Sequence, residues 1–213
     1  MENKSDVRNM LHDALILFAI TLIAGLVLGF VYEVTKEPRR LQQEKAIAEA
    51  CSAVFEGAAS FEALEYTVSE GLAAELSEAG VKTGDAYEAL DDAGIRLGFV
   101  LESTTTEGYG GNITIYLGVT NAGILNGISI LEIDETPGLG MRADEVLTPQ
   151  FRKKEVQEFT YTKTGSRSDS EIDAISGATV TTKALTNAVN GGMKVILNSL
   201  MTLQTEEGGT ANE

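Results

Sequence analysis

Cysteine, histidine and positive charge are scarce in this sequence. Cys51 is the single cysteine, so no intramolecular disulfide can form. It lies in AEACSAVF, an amphipathic helical context in which a lone thiol reads as a small buried apolar group. His12 is the single histidine, which excludes histidine-rich metal sites. Its position just before an apolar run marks it as interfacial. Lysine and arginine number 16 against 32 aspartates and glutamates, a formal net charge of -16. A chain this acidic repels phosphates, so no nucleic acid partner is expected. The same charge keeps the chain soluble and suits docking to a basic partner. No G-x-G-x-x-G follows a strand, which removes the signature of a dinucleotide site. No internal repeat is visible.

What is present suffices for one domain with a sizeable core and a short appendage: 213 residues, 43% of them hydrophobic and 23% charged. From Ala14 to Tyr32 the sequence reads ALILFAITLIAGLVLGFVY, about 19 residues without a charge, long enough to cross a bilayer as a helix. Thr21 can bond back into its own turn, and Gly25 and Gly29 make a G-x-x-x-G of a kind common in membrane helices. A cleaved signal peptide would have a shorter apolar region and a small-residue cleavage site. Here the run passes into Glu33, Lys36, Pro38, Arg39 and Arg40, so a retained anchor is expected. Lys4 and Arg8 precede the span and four basic residues follow it closely. Charge alone therefore puts the large domain in the cytoplasm, by a rule that is weakest when a long domain follows.

Beyond the anchor the pattern predicts an α+β domain, a mostly antiparallel sheet with flanking helices. Residues 40–57 repeat apolar positions at helical spacing: Leu41, Ile47, Cys51, Val54 and Phe55. A first strand is expected over 61–68 and another over 94–103. A glycine-rich loop, TTTEGYGGN, comes next. Residues 112–119 alternate, with Ile113, Ile115, Leu117 and Val119 on one face and Thr114 and Tyr116 on the other, as a half-buried strand does. Residues 124–133 complete a hairpin with it. A short helix is expected over 145–155, a polar loop over 163–171, and a helix over 180–203 that Gly191 and Gly192 interrupt. The domains read as a tail (1–13), an anchor (14–32), a helical linker with the first part of the soluble domain (33–89), the main domain (90–203) and a frayed tail (204–213).

Two motifs carry chemistry. In DAISGATVTTKA, residues 173–184, a strand end meets a small-residue turn and then a helix start. Gly177 and Ala178 let another molecule approach the backbone, and amides at a helix start favour an anion such as phosphate. Read on its own, the stretch is equally an ordinary hydroxyl-capped helix. In ETPGLG, residues 135–140, Gly138 and Gly140 flank Leu139, which can lie against a flat ring. Taken alone, this is a plain Pro-Gly turn.

Together with the upstream Gly108-Tyr109-Gly110-Gly111, these residues resemble the FMN-binding domains that carry covalent flavin. That domain is shared by the G subunit of the Rnf electron-transport complex and the C subunit of the sodium-pumping NADH:quinone reductase. The short chain is more similar to the Rnf protein. The resemblance covers roughly residues 90 to 200, and the single span extends it. It implies an FMN-binding site made of Thr179, Ser176, Gly177, Ala178, Asp173, Thr181, Glu135, Thr136, Leu139, Gly140, Tyr109 and Gly110. Thr179, which closes S-G-A-T, accepts the FMN phosphate. Asp173 matches the acidic position tied to recognition by a flavin transferase that uses FAD and magnesium. Glu135, Thr136, Leu139 and Gly140 match the loop along the isoalloxazine ring. Ile133 stands where many relatives have histidine. The resemblance also implies an electron-relay subunit without turnover of its own, an extracytoplasmic domain on an inner or plasma membrane, and as partners the other membrane and iron-sulfur or flavin subunits, the transferase and membrane lipid. A quinone-reductase subunit, a stand-alone flavin shuttle and a flavin-free adaptor with the same fold are the alternatives.

Overall fold

The computed structural model describes residues 4–202 and divides into two compact units, one up to Ala46 and one from Ile47 onward. The expected tail at 204–213 lies outside the described residues. The first unit is helical. Helix α1 runs Lys4–Val54 and continues past Pro38, so the anchor and the 40–57 helix, expected as separate pieces, form one element. The helix is long and apolar enough to cross a membrane, and none of its most apolar window is buried by protein. Thr21 Oγ1 bonds the carbonyls of Leu17 and Phe18, so its hydroxyl is satisfied inside the helix.

The second unit meets the α+β expectation. Five strands form an antiparallel sheet in sequence order: β1 (Ser60–Leu64), β2 (Val81–Leu90), β3 (Arg96–Thr105), β4 (Ile113–Thr120) and β5 (Leu125–Ile133). Short helix α2 (Glu70–Glu78) precedes β2, and the Ser69 hydroxyl caps it by accepting from the Leu72 N–H. Neither α2 nor β2 was legible in the sequence. VKTGDAYEAL mixes charge and small residues without clean alternation, and a register break between Thr83 and Ala86 shifts the faces halfway along. The first strand is also shorter than expected. The 145–155 region holds helix α3 (Ala143–Val146) and a 3₁₀ turn, Thr148–Phe151. Two short parallel strands follow, β6 (Thr160–Thr162) and β7 (Glu171–Asp173), and then helix α4 (Thr179–Val195).

The strand expected to be half buried is buried on both faces. Ile113, Ile115, Leu117 and Val119 of β4 join the main core with Leu185, Ala188, Val189 and Met193 of α4. Tyr116, on the opposite face, is fully buried in a second cluster with Ala50, Cys51, Val54 and Phe55. Alternation marks which residues share a face; it does not say how many faces will be covered. The last turns of α1, from Ile47, cover the second face. Leu41, counted with that apolar stripe, is exposed instead. Burial raises the Cys51 thiol to about 11, in agreement with its reading as a buried apolar group. Burial also raises the Tyr116 phenol, whose hydroxyl donates to Glu102 Oε2 at 3.1 Å.

Gly191 and Gly192 do not interrupt α4. A Cβ at Gly192 would lie 2.5 Å from Leu117 Cδ2, and one at Gly191 would lie 2.8 Å from Val81 Cγ1. The pair lets α4 sit close on the sheet. Ser103 of β3 fixes the same contact by donating to the Ala188 carbonyl at 2.8 Å. The helix is thereby held firmly, and its first turn carries the candidate site.

Candidate functional site

The loop after β5 and the turn before α4 meet in space. Gly177 has φ +81°, and a Cβ there would lie 3.1 Å from Leu139 Cδ2. At Gly140 a Cβ would lie 2.6 Å from Thr181 Oγ1 and 2.7 Å from Glu135 Cβ. Only a glycine allows ETPGLG to approach the helix this closely. The upstream glycine-rich turn joins them through Glu135, whose Oε1 accepts from the Tyr109 N–H at 2.7 Å. Glu135 is buried, so this carboxylate clamps one loop to another in place of meeting solvent.

Three segments distant in sequence thus enclose a cleft of about 470 Å³. It is lined by Tyr109, Glu135, Thr136, Leu139, Gly140, Gly177, Ala178, Thr179, Val180 and Thr181. Nine of the twelve residues singled out in the sequence line it. Ser176, Asp173 and Gly110 do not, although Gly110 belongs to the same turn as Tyr109. A Cβ at Gly110 would lie 2.1 Å from the Asp134 carbonyl oxygen, so its part is close backbone packing. Val180 was not singled out. Its signal was a lone apolar residue inside TVTTK at a helix start, and it proves to be exposed. Tyr109, Leu139, Met141 and Val180 are all exposed large apolar side chains, and three of the four line the cleft. Apolar surface concentrated at one concave site marks it for a ligand with a large apolar face.

The polar end of the cleft is the start of α4. Ala178 stands at the helix boundary and provides no side-chain cap. The amides of the first turn have no carbonyl four residues back inside the helix, so they favour an anion. The turn itself is held by Thr182. Its hydroxyl accepts from the Ile175 N–H at 3.1 Å and donates to the Ala178 carbonyl at 3.0 Å. The Thr186 hydroxyl bonds the Thr182 carbonyl. Among the five hydroxyl residues from Ser176 to Thr186, two are therefore committed to the backbone. Ser176 is exposed outside the cleft, and Thr181 lines it but is 1% exposed. Thr179 is half-buried on the lip of the cleft, and it combines a place in the cleft with access from outside.

Asp173 lies at the end of β7. Its carboxylate accepts from Ser166, at 2.6 Å from the N–H and 3.3 Å from the hydroxyl. Its main chain is gripped by Gln150, whose Oε1 accepts from the Asp173 N–H at 2.8 Å and whose Nε2 donates to the Asp173 carbonyl at 3.1 Å. No sequence pattern points to Gln150, which lies 23 residues away. Lys183, near the same turn, pairs loosely with Glu107 at 3.9 Å.

The model of the FMN-binding domain family matches residues 108–194. The chain is 31% identical over 187 residues to the G subunit of the Na(+)-translocating ferredoxin:NAD(+) oxidoreductase complex of Acetobacterium woodii, covering 86% of this chain and 90% of that protein. It is 25% identical over 197 residues to the G subunit of the ion-translocating oxidoreductase complex of Methanosarcina acetivorans, covering 90% and 97%. Among solved structures, NqrC of Shewanella oneidensis superposes with a TM-score of 0.46 at 20% identity, over 56% of this chain and 61% of that one.

Proposed function

Because the chain belongs to the G-subunit family of ion-translocating oxidoreductase complexes, we propose that it is the flavoprotein electron-transfer subunit of such a complex, with FMN bound covalently to Thr179. The observation that carries this reading is the cleft itself. It joins an apolar wall, Leu139, Val180 and Tyr109, to an uncapped helix start with an accessible threonine hydroxyl. The residues fit the group: a flat apolar ring against the wall, a phosphate at the amides of α4, and a hydroxyl in position to esterify it.

Attachment is a substitution at phosphorus. The Thr179 Oγ would form the new P–O bond to the FMN phosphate of FAD while the anhydride P–O bond breaks and AMP leaves with the bridging oxygen. The threonine proton passes to solvent or to a base of the transferase, and nothing is oxidised or reduced. When bound, the flavin supplies the electron-carrying chemistry. The start of α4 would hold its phosphate, Leu139 would lie against the ring, and Glu135, engaged with the Tyr109 N–H, keeps the loops together. A site without an acid–base pair of its own and without a nicotinamide fingerprint suits relay between neighbouring centres, not turnover of a substrate.

The membrane location follows from the family and from the apolar stretch of α1. The soluble unit faces the extracytoplasmic side, where the transferase would act. Its partners are the other subunits of the complex, the transferase, and lipid around the anchor. Co-expression with a flavin transferase tests the attachment. The wild-type band should fluoresce after denaturation, Thr179→Ala should be dark while remaining folded, and peptide mass should place the group on Thr179. A full FMN load on Thr179→Ala would overturn the assignment.

A further inference from the structure

Two buried side chains that line the cleft keep polar atoms that the chain itself does not use. Glu135 is 8% exposed and Thr181 is 1% exposed. One oxygen of Glu135, Oε1, accepts from the Tyr109 N–H at 2.7 Å. Among the described residues the other oxygen, Oε2, has no hydrogen-bond partner. The lining of the cleft holds no lysine or arginine to neutralise it. Thr182 and Thr186 return their hydroxyls to the backbone of α4 and its turn. The Thr181 hydroxyl, between them in the same helix, makes no hydrogen bond among the described residues. Buried polar groups are nearly always paired, because an unpaired one forfeits the hydrogen bonds it had in water.

The two unpaired oxygens converge on one glycine. A Cβ at Gly140 would stand 2.6 Å from Thr181 Oγ1 and 2.8 Å from Glu135 Oε2. The missing side chain is what lets the hydroxyl from α4 and the carboxylate from the loop after β5 lie against the same point. A group that meets both faces a hydroxyl, which donates or accepts, and a carboxylate oxygen, which only accepts. Its complement is a donor beside an acceptor, an N–H next to a C=O. An ionised phosphate fits badly there, since it accepts only and carries the same sign of charge as Glu135.

The rest of the cleft meets the other parts of a flavin. Leu139, Val180 and Tyr109 offer apolar surface to the faces of a ring, and the first amides of α4 offer donors to a phosphate. The isoalloxazine also has one polar edge, where the N3–H stands between two carbonyls. That edge loses its water on entering a cleft and needs replacement partners. We propose that Glu135 and Thr181 are the specificity pair for this edge: Glu135 Oε2 accepts from the flavin N3–H, and the Thr181 hydroxyl donates to a carbonyl beside it. The inference deepens the flavin reading given above and rests on it, but it does not depend on the bond to Thr179. It divides the work of Glu135 between its oxygens, one for the loops and one for the ligand.

A pair of flavins tests it. The full chain, made without a flavin transferase and kept in detergent, is titrated with FMN and with N3-methyl-FMN, and binding is read from flavin fluorescence. The two ligands share ring and phosphate and differ at the N3–H. Wild type should bind the methyl analogue about tenfold or more weakly, the loss expected for a hydrogen bond to a charged group. This comparison needs no variant, so a folding defect cannot mask it. Glu135→Gln keeps an oxygen for the Tyr109 N–H but turns an N–H toward the ligand. It should weaken FMN binding and bring the two flavins close to equal. Glutamine has nearly the same shape as glutamate, so a purely steric rejection of the methyl group would survive in this variant. Thr181→Val should weaken both flavins by roughly two- to tenfold, the range for a neutral hydrogen bond, and leave their ratio unchanged. Equal affinities in wild type, or an unchanged ratio in Glu135→Gln, would overturn the inference while leaving the cleft a flavin site. If wild type binds neither flavin at millimolar concentration, the flavin reading of the cleft falls, and this inference with it.

Discussion

Replacing Gly177 with alanine probes the assembly of the cleft where the turn before α4 meets the loop after β5. At φ +81° an L-residue is in the left-handed region, which costs about 1–2 kcal/mol. The added Cβ would stand 3.1 Å from Leu139 Cδ2. Leu139 is 41% exposed and can swing outward, so this contact adds less than about 1 kcal/mol, the low end of the overpacking range. Reduced entropy of the unfolded chain acts in the other direction by about 0.4–1 kcal/mol. The net expectation is a loss of about 1–2 kcal/mol, and for a domain of this size a fall in Tm of roughly 2–8 °C. The assay is thermal unfolding in detergent, run on Gly177→Ala, Leu139→Ala and the double variant. Leu139→Ala should relieve the contact part and leave the backbone part. Gly177→Asn should cost less than alanine, since asparagine tolerates that backbone region. Covalent loading with a transferase should fall in Gly177→Ala, because the distorted turn carries Thr179. Two results would refute the reasoning: an unchanged Tm for Gly177→Ala, or strict additivity with Leu139→Ala, which would mean that the two loops do not touch.

Thr179→Ser should retain some covalent flavin because it keeps the hydroxyl, and Ser176→Ala should impair loading less than any change at Thr179, both read by fluorescence of the denatured band. Leu139→Ala should keep the covalent flavin but shift its absorbance or potential; if both stay at wild-type values, the ETPGLG loop does not lie at the ring. A cysteine placed in the 163–171 loop, in a Cys51→Ala background, should be labelled in intact cells by an impermeant reagent from outside, and labelling only after lysis would reverse the proposed topology. Cys51 should resist alkylation in the folded chain near pH 8 and react fully once unfolded. Its pH dependence has a definite sign. The folded chain keeps the thiol proton up to about 11, while the unfolded chain releases it near 9.0, so this group lowers stability as pH rises across that window, by at most about 1.4 kcal/mol per unit. A stability that rises between pH 9 and 11 would contradict the burial of this thiol.

The local patterns were the legible part. The apolar run, the β4–β5 hairpin, the turn before α4 and the helix itself are written in periodicity and turn chemistry within a few residues of each other. The two motifs were readable as loops with exceptional small residues. What escaped was set by partners far away in sequence. Strand β2 is held by its neighbours β1 and β3 and carries no clean pattern of its own. Tyr116 looked solvent-facing because the end of α1, more than sixty residues earlier, covers its side of the sheet. Gly191 and Gly192 looked like a break because a helix alone loses stability there, whereas against Leu117, Leu76 and Val81 they are what lets the helix sit down.

The sequence by itself therefore determined most of the regular segments, that one helix can span a membrane, and which loops carry exceptional small residues, since all of these depend on neighbours along the chain. Only the tertiary structure decided that Tyr109, Glu135, Leu139 and Thr179 share one cleft, that Thr182 and Thr186 are committed to the backbone while Thr179 stays accessible, and that the Asp173 carboxylate is engaged by Ser166. Those outcomes turn on contacts between residues well separated along the chain, such as Tyr109 with Glu135 and Gly177 with Leu139, which close only when the sheet and α4 fix the loops in space.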